Sequence, residues 1–209
     1  MPVEFLTDVQ AEAYGRFVGP PSRRELDGFF FLDDADLRMV GRRRGDHNRL
    51  GFGVQLATVR YLGMFLADPL DVPGEAGDCI AAQLGVDVSC LAGYGVREKT
   101  RLEHQWEIAR EFGYRDFADA ERELARWVDD VAWTTGLGPT AIFVDAIRWL
   151  RERRVLLPGV SALARIVARE RDAATVRVWT EIAQCATAGQ ARSLPRLLDV
   201  RDGAAAVGA

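Results

Sequence analysis

The stretch NRLGFGVQLATVRYLGMFL, residues 48 to 66, decides how this chain folds. Phe52, Leu56, Val59, Leu62 and Phe65 recur three or four residues apart, the spacing of one helix face, and predict a helix from Asn48 to Leu66. Working back from it, Gly45 stops a helix that Asp33 and Asp34 open and that runs through Leu37 and Val40 to Arg44. Before that, Ser22 with Glu25 three residues later forms a capping box for a helix reaching Phe29 to Leu32. Thr7 caps a first short helix, Leu6 to Phe17, which Gly19-Pro20-Pro21 ends.

Working forward, Asp68-Pro69 through Pro73-Gly74 is a loop rich in turn residues and marks a module boundary. Cys79 to Leu84 reads as a short helix, and Leu91 to Phe112 as containing a long one. Gly113 to Phe117 breaks the pattern and Asp119 to Trp127 resumes it. After the loop Thr134 to Pro139, Ile142, Phe143, Ala146, Ile147 and Leu150 define an amphipathic helix over Thr140 to Arg154. Leu157-Pro158-Gly159 turns the chain, and Ser161 is read as the cap of a helix to about Ala186. No alternating run is long enough to build a sheet, so the expected class is all-α. The expected organisation is two consecutive small helix-turn-helix-like modules, 1–74 and 75–137, then a helical extension, 138–198, and a frayed tail, 199–209.

Composition narrows the function. The 209 residues are 48% hydrophobic and 28% charged, an ordinary globular mixture. No apolar run approaches the ~20 residues that a membrane-spanning helix needs. Met1 to Gln10 carries Glu4 and Asp8 and no basic residue, unlike a secretory leader, so a cytoplasmic protein is expected. Cys79, Cys90 and Cys185 include no C-x-x-C pair and the two histidines, His47 and His104, lie far apart, which argues against a disulfide framework or a structural zinc. The cysteines read as packing residues, and Trp106, Trp127, Trp133, Trp149 and Trp179 read as packing between helices. The net charge is −4, so a nucleic-acid-binding role requires the positive groups to be gathered on one face.

Three segments carry that charge. Arg42-Arg43-Arg44-Gly45-Asp46-His47-Asn48-Arg49 sits at a helix-loop-helix junction, one turn beyond Arg38. Guanidinium groups grip phosphate oxygens, and Arg or Asn reads base edges. The free N–H groups of the next helix start also attract phosphate. A solvated basic helix end explains the same residues equally well. The second segment comes after the cadence Ala81, Gly85, Leu91, which has the spacing of a helix-turn-helix. Its charge comes in Arg97, Lys99, Thr100, Arg101 and His104, against Glu98, Glu103 and Glu107, which equally suit a wet helix face. Arg148, Arg151, Arg153 and Arg154, continuing at Arg165 and Arg169, are interspersed with acids and read as a solvated face. No P-loop, nucleophile elbow, dinucleotide fingerprint or H-E-x-x-H spacing occurs, so neither catalytic residues nor a metal or other cofactor is expected.

The opening PVEFLTD (2–8), RRGDHNRLGF (43–52), REKTRLEH (97–104) followed by FGYRDF (112–117), and LLPGVSALAR (156–165) together resemble the N-terminal region of Tn-three-type transposases, the replicative, cointegrate-forming enzymes of class II transposons. The resemblance runs from Met1 to about Leu197. It implies helical modules that bind double-stranded DNA at the terminal inverted repeats. In such enzymes an RNase H-like domain with magnesium-binding acids lies much further along, and no residue here matches those acids. The chain is therefore expected to be a non-catalytic DNA-binding part, without a small-molecule substrate. The candidate contacts are Arg42, Arg43, Arg44, His47, Asn48, Arg49, Arg97, Lys99, Thr100, Arg101 and His104, with Asn48 and Arg49 as base readers. The Gly/Ala-rich end, Gly203 to Ala209, reads as early termination or a decayed remnant. The rival reading is an assembly module that self-associates through its C-terminal helices.

Overall fold

The computed structural model describes residues 5–94, 96 and 98–185; Arg97 and the tail from residue 199 lie outside these. Nine α-helices and one 3₁₀ segment form among the described residues, with a single isolated bridge between Arg115 and Val155 and no strand. The all-α expectation holds.

The first three helices begin where their side chains can satisfy the orphan N–H groups of the first turn. Thr7 and Gln10 close a capping box ahead of α1 (Asp8–Ala13), and Ser22 with Glu25 does the same for α2 (Arg23–Phe29). Asp33 accepts from the Ala35 and Asp36 N–H groups to start α3 (Asp34–Gly41). The central helix α4 (Asp46–Leu62) stops four residues earlier than its apolar pattern suggests. Gly63 adopts φ +82°, which an L-residue resists, and its N–H closes on the Val59 carbonyl. Beyond it Phe65 still packs against the core, but from a loop.

All ten residues from Leu50 to Val59 are buried, so α4 is covered on every side. A helix apolar all round needs such a sheath. It is supplied by α2, α3, α5 (Gly74–Leu84), the 3₁₀ segment Val88–Gly93 and α6 (Glu98–Glu111), all packed on α4. Phe30, Leu32 and Val40 from one side of the 74/75 position and Ile80, Leu91, Tyr94 and Ile108 from the other share one core with Leu50, Phe52 and Leu56. The closest approach is at Gly51, where a Cβ would overlap the Tyr94 ring.

The second core joins α7 (Phe117–Thr134), α8 (Pro139–Glu152) and α9 (Val160–Cys185) through Leu124, Val128, Ile142, Leu150, Leu163 and Val167. Phe117 and Glu121 share a recess with Ala162, Arg165 and Arg169, while Asp129 pairs with Arg177, so α7 and α9 run side by side in the same direction. The N-terminal segment crosses to this bundle: the Tyr14 hydroxyl donates to the Pro158 carbonyl at 2.9 Å, and Thr140 donates to the Phe5 carbonyl at 2.9 Å. The start of α9 precedes the expected Ser161 cap, because the Gly159 carbonyl already accepts from Ala162 and Leu163. Trp127 and Trp149 pack together at 6.0 Å, but Trp106, Trp133 and Trp179 are exposed, contrary to the reading of all five as packing residues. Cys185 is exposed too, whereas Cys79 and Cys90 are half-buried.

Gly51→Ala drives a methyl group into the base of a fixed aromatic ring, and we expect a loss of about 1–3 kcal/mol, typical of overpacking. Urea denaturation of the two proteins checks this; an unchanged midpoint would show that the α4–Tyr94 contact does not constrain the fold.

Candidate nucleic-acid interface

The α3–α4 junction turns within four residues. Arg42 caps the C-terminus of α3, and Gly45, at φ +82°, leads into α4 without any side-chain cap. The helix start thus leaves backbone donors and the positive dipole end open, with Arg38, Arg42 and Arg44 exposed just before it. None of these three guanidinium groups forms an ion pair among the described residues. The first turn of α4 is internally tied: Asn48 donates to the Arg44 carbonyl at 2.9 Å, and Arg49 reaches Asp46 at 3.2 Å and the Leu84 carbonyl at 3.4 Å. His47 packs half-buried over Gly93, which brings the 3₁₀ segment up to this turn. Acids are present as well, since Asp46 and Asp87 both act, after burial, to raise the Cys90 thiol.

The turn after α5 forms where Ala81-Gly85-Leu91 placed it, with Gly85 left-handed and Ala81 and Leu91 buried. A six-residue 3₁₀ segment comes next, however, so no α-helical recognition element enters directly after Gly85. The reason is local: Asp87 caps the Ser89 N–H, and Tyr94 turns back to plug the gap at Gly51.

The two basic segments meet in the interior. Arg43 lies over the Phe52 ring at 4.4 Å and donates to Glu107 at 2.6 Å, with only 15% of its side chain exposed. His104, 6% exposed, stacks on Tyr94 and meets Phe52 edge-on at 5.2 Å. Gln55 donates to the Tyr94 hydroxyl and to the Arg101 carbonyl. The Tyr94 hydroxyl also lies 2.9 Å from His104 Nδ1, and the imidazole tautomer sets which of the two donates. Burial pulls the imidazole down to about 4 from 6.5, Arg43 pushes the same way, and Glu107 opposes them.

These contacts sort the candidates. Arg42, Arg44 and Lys99 are exposed, although Lys99 lies 3.8 Å from Glu103. His47, Asn48, Arg49, Thr100 and Arg101 are half-exposed, with Arg101 3.8 Å from Glu98. Arg43 and His104 face inward, Arg43 paired with Glu107 although its Nε is left buried without a partner, and His104 in hydrogen-bonding contact with Tyr94. Gln55 and Tyr94, which organise this interior, were not among the candidates. The sequence signal for Gln55 is a lone amide within the apolar run of α4; for Tyr94 there is no local signal.

With a helical sheath around one buried helix and a basic turn at its start, the chain belongs to the family described as "Domain of unknown function (DUF4158)", whose model matches residues 5–170. Along 97% of its length it is 36% identical to the transposase for transposon gamma-delta of Escherichia coli (strain K12), and along 88% it is 32% identical to the transposase for transposon Tn501 of Pseudomonas aeruginosa. The transposase for transposon Tn21 of Escherichia coli is 34% identical, again over 88% of the chain. The resemblance to Tn-three-type transposases therefore holds along nearly the whole sequence. The chain spans about a fifth of the length of these relatives, 21%, 19% and 18% respectively. No helix among the described residues is long and apolar enough to cross a membrane.

The neutral His104 makes stability depend on pH with a definite sign. Its folded pKa lies below its unfolded one, so the unfolded chain takes up a proton that the folded chain refuses, and stability falls as pH drops from about 6.5 towards 4. His104→Gln is expected to remove that part of the slope. Denaturation midpoints at pH 7 and pH 4.5 for both proteins check it; parallel losses would contradict the buried neutral imidazole.

Proposed function

We propose that this chain is a DNA-binding part of a transposase and recognises the terminal inverted repeats of its transposon. The observation that carries the reading is the α3–α4 turn, where Arg38, Arg42 and Arg44 are exposed without acidic partners beside an uncapped helix N-terminus. Similarity to transposases along nearly the whole chain supplies the context. Arg38 on α3 and Arg42 at its C-cap lie one turn apart, and Arg44 follows in the turn, so all three offer phosphate-binding forks near the start of α4. Base reading falls to the first turn of α4, where Asn48 and Arg49 remain half-exposed and keep donors beyond those used internally. Lys99 and Thr100 belong to a secondary contact, while Arg43 and His104 act by holding α3, α4 and α6 in place. The chemistry of strand transfer is assigned to parts of the transposase outside this chain, and the chain itself to a cytoplasmic protein without cofactor.

A second reading has its own support. Val176, Trp179 and Ile182 are exposed on the last turns of α9, a surface suited to self-association during transposase assembly. It complements DNA binding rather than replacing it.

The double variant Arg42→Ala/Arg44→Ala is expected to lose at least tenfold in duplex affinity at moderate salt, with its thermal midpoint unchanged. Each arginine–phosphate contact contributes about 0.9 to the slope of log affinity against log salt, so the slope falls by about 2. Fluorescence anisotropy at several salt concentrations measures both, and wild-type affinity in the variant would remove the assignment.

A further inference from the structure

At the opposite end of α4 from the basic turn, a recess of 460 Å³ opens between the two cores, lined by Arg60, Arg151 and Arg154 together with Phe29, Phe112 and Tyr114. We infer that this recess is a second, independent binding site for a phosphate ester, with the guanidinium groups as its cradle and the aromatic rings as its walls. Two of the three arginines are held by backbone carbonyls and the third by a carboxylate. Arg151 donates to the Tyr61 carbonyl at 2.7 Å and the Arg60 carbonyl at 3.4 Å, closing the end of α4. Arg154 donates to the Phe112 carbonyl at 2.9 Å, just beyond the end of α6. Neither has an acid within ion-pair distance among the described residues. Only Arg60 is paired, through two bonds of 2.7 and 2.8 Å to the buried Asp36, and it also lies over the Phe112 ring at 5.2 Å.

Local charge is positive in a chain that is acidic overall. Three arginines face two acids, Glu152 on the rim and Asp36 behind Arg60, which leaves one positive charge. Glu25 lines the neighbouring recess that shares Arg151, where its carboxylate keeps its negative charge and accepts from Ser22 and Tyr61. Burial raises Tyr114, and Arg60, Arg154 and Arg151 each act to lower it.

Backbone conformation gives a separate reason to single out Arg154. It is the one non-glycine among the described residues with positive φ, at 51°. A glycine would occupy that conformation without steric cost, so what the arginine adds there is its side chain, which holds the Phe112 carbonyl. A guanidinium with spare donors grips phosphate in a bidentate fork. The volume suits a mononucleotide-sized group. Either a free nucleotide or one phosphate of a DNA strand presents this chemistry.

Arg154→Gly tests the site, because it removes the guanidinium and keeps the conformation. Calorimetric titration of the full chain with deoxyadenosine monophosphate and with inorganic phosphate, beside duplex anisotropy against salt, separates the sources. The variant is expected to unfold at the wild-type temperature or above. Loss of at least tenfold in mononucleotide or phosphate affinity establishes a free-nucleotide site. A duplex salt slope lower by about one, without mononucleotide binding, establishes a backbone-phosphate site. No change in any of these titrations would overturn the proposal. The Arg42→Ala/Arg44→Ala protein leaves this recess intact, so failure here and failure of the end-recognition reading are told apart.

Discussion

The rest of the structure depends on the requirement that α4 be enclosed. Ten consecutive buried residues leave no wet face for this helix, so every neighbouring element is placed by the need to cover it. Covering it closely demands small residues where backbones or rings approach, which Gly51 provides beneath Tyr94. It also demands partners inside for the Gln55 amide N–H groups, which Tyr94 and the Arg101 carbonyl provide, while its Oε1 is left without one. Both ends of α4 emerge at surfaces rich in arginine, the α3–α4 turn at its start and the Arg60 recess at its finish. A buried rod that presents its two ends to solvent holds these surfaces at a fixed separation.

The same enclosure resolves the tension between an acidic chain and a DNA-binding reading. Many arginines are engaged in internal tasks: Arg43 pairs with Glu107, Arg60 with Asp36, Arg115 with Glu123 and Arg177 with Asp129. Each pair takes one arginine with one acid, so the net charge of −4 stays with the unpaired acids. What matters for phosphate is the unpaired remainder and where it sits. Arg38, Arg42 and Arg44 are that remainder next to a helix N-terminus.

Local features were legible in the sequence and long-range ones were not. Thr7, Ser22 and Asp33 announce helix starts because a cap and its N–H partners lie within three residues. The end of α4 misleads because Phe65 continues the apolar rhythm after Gly63 has turned the chain. Arg43 and Arg44 are indistinguishable as neighbours in a basic run; only Glu107, 64 positions away, decides that the first turns inward. His104 reads as part of a polar stripe until Tyr94 and Phe52 close over it. Arg60 joins Arg151 and Arg154 in one recess from 91 positions away, and no spacing rule connects it to them.

The most direct test of the account is anisotropy of the full chain on a duplex carrying the transposon's terminal inverted repeat, beside a scrambled duplex of equal length, at two salt concentrations. Tighter binding to the repeat, by at least tenfold and with affinity falling steeply as salt rises, is the expected result. Equal affinity for both duplexes, or none for either, would contradict end recognition by this domain.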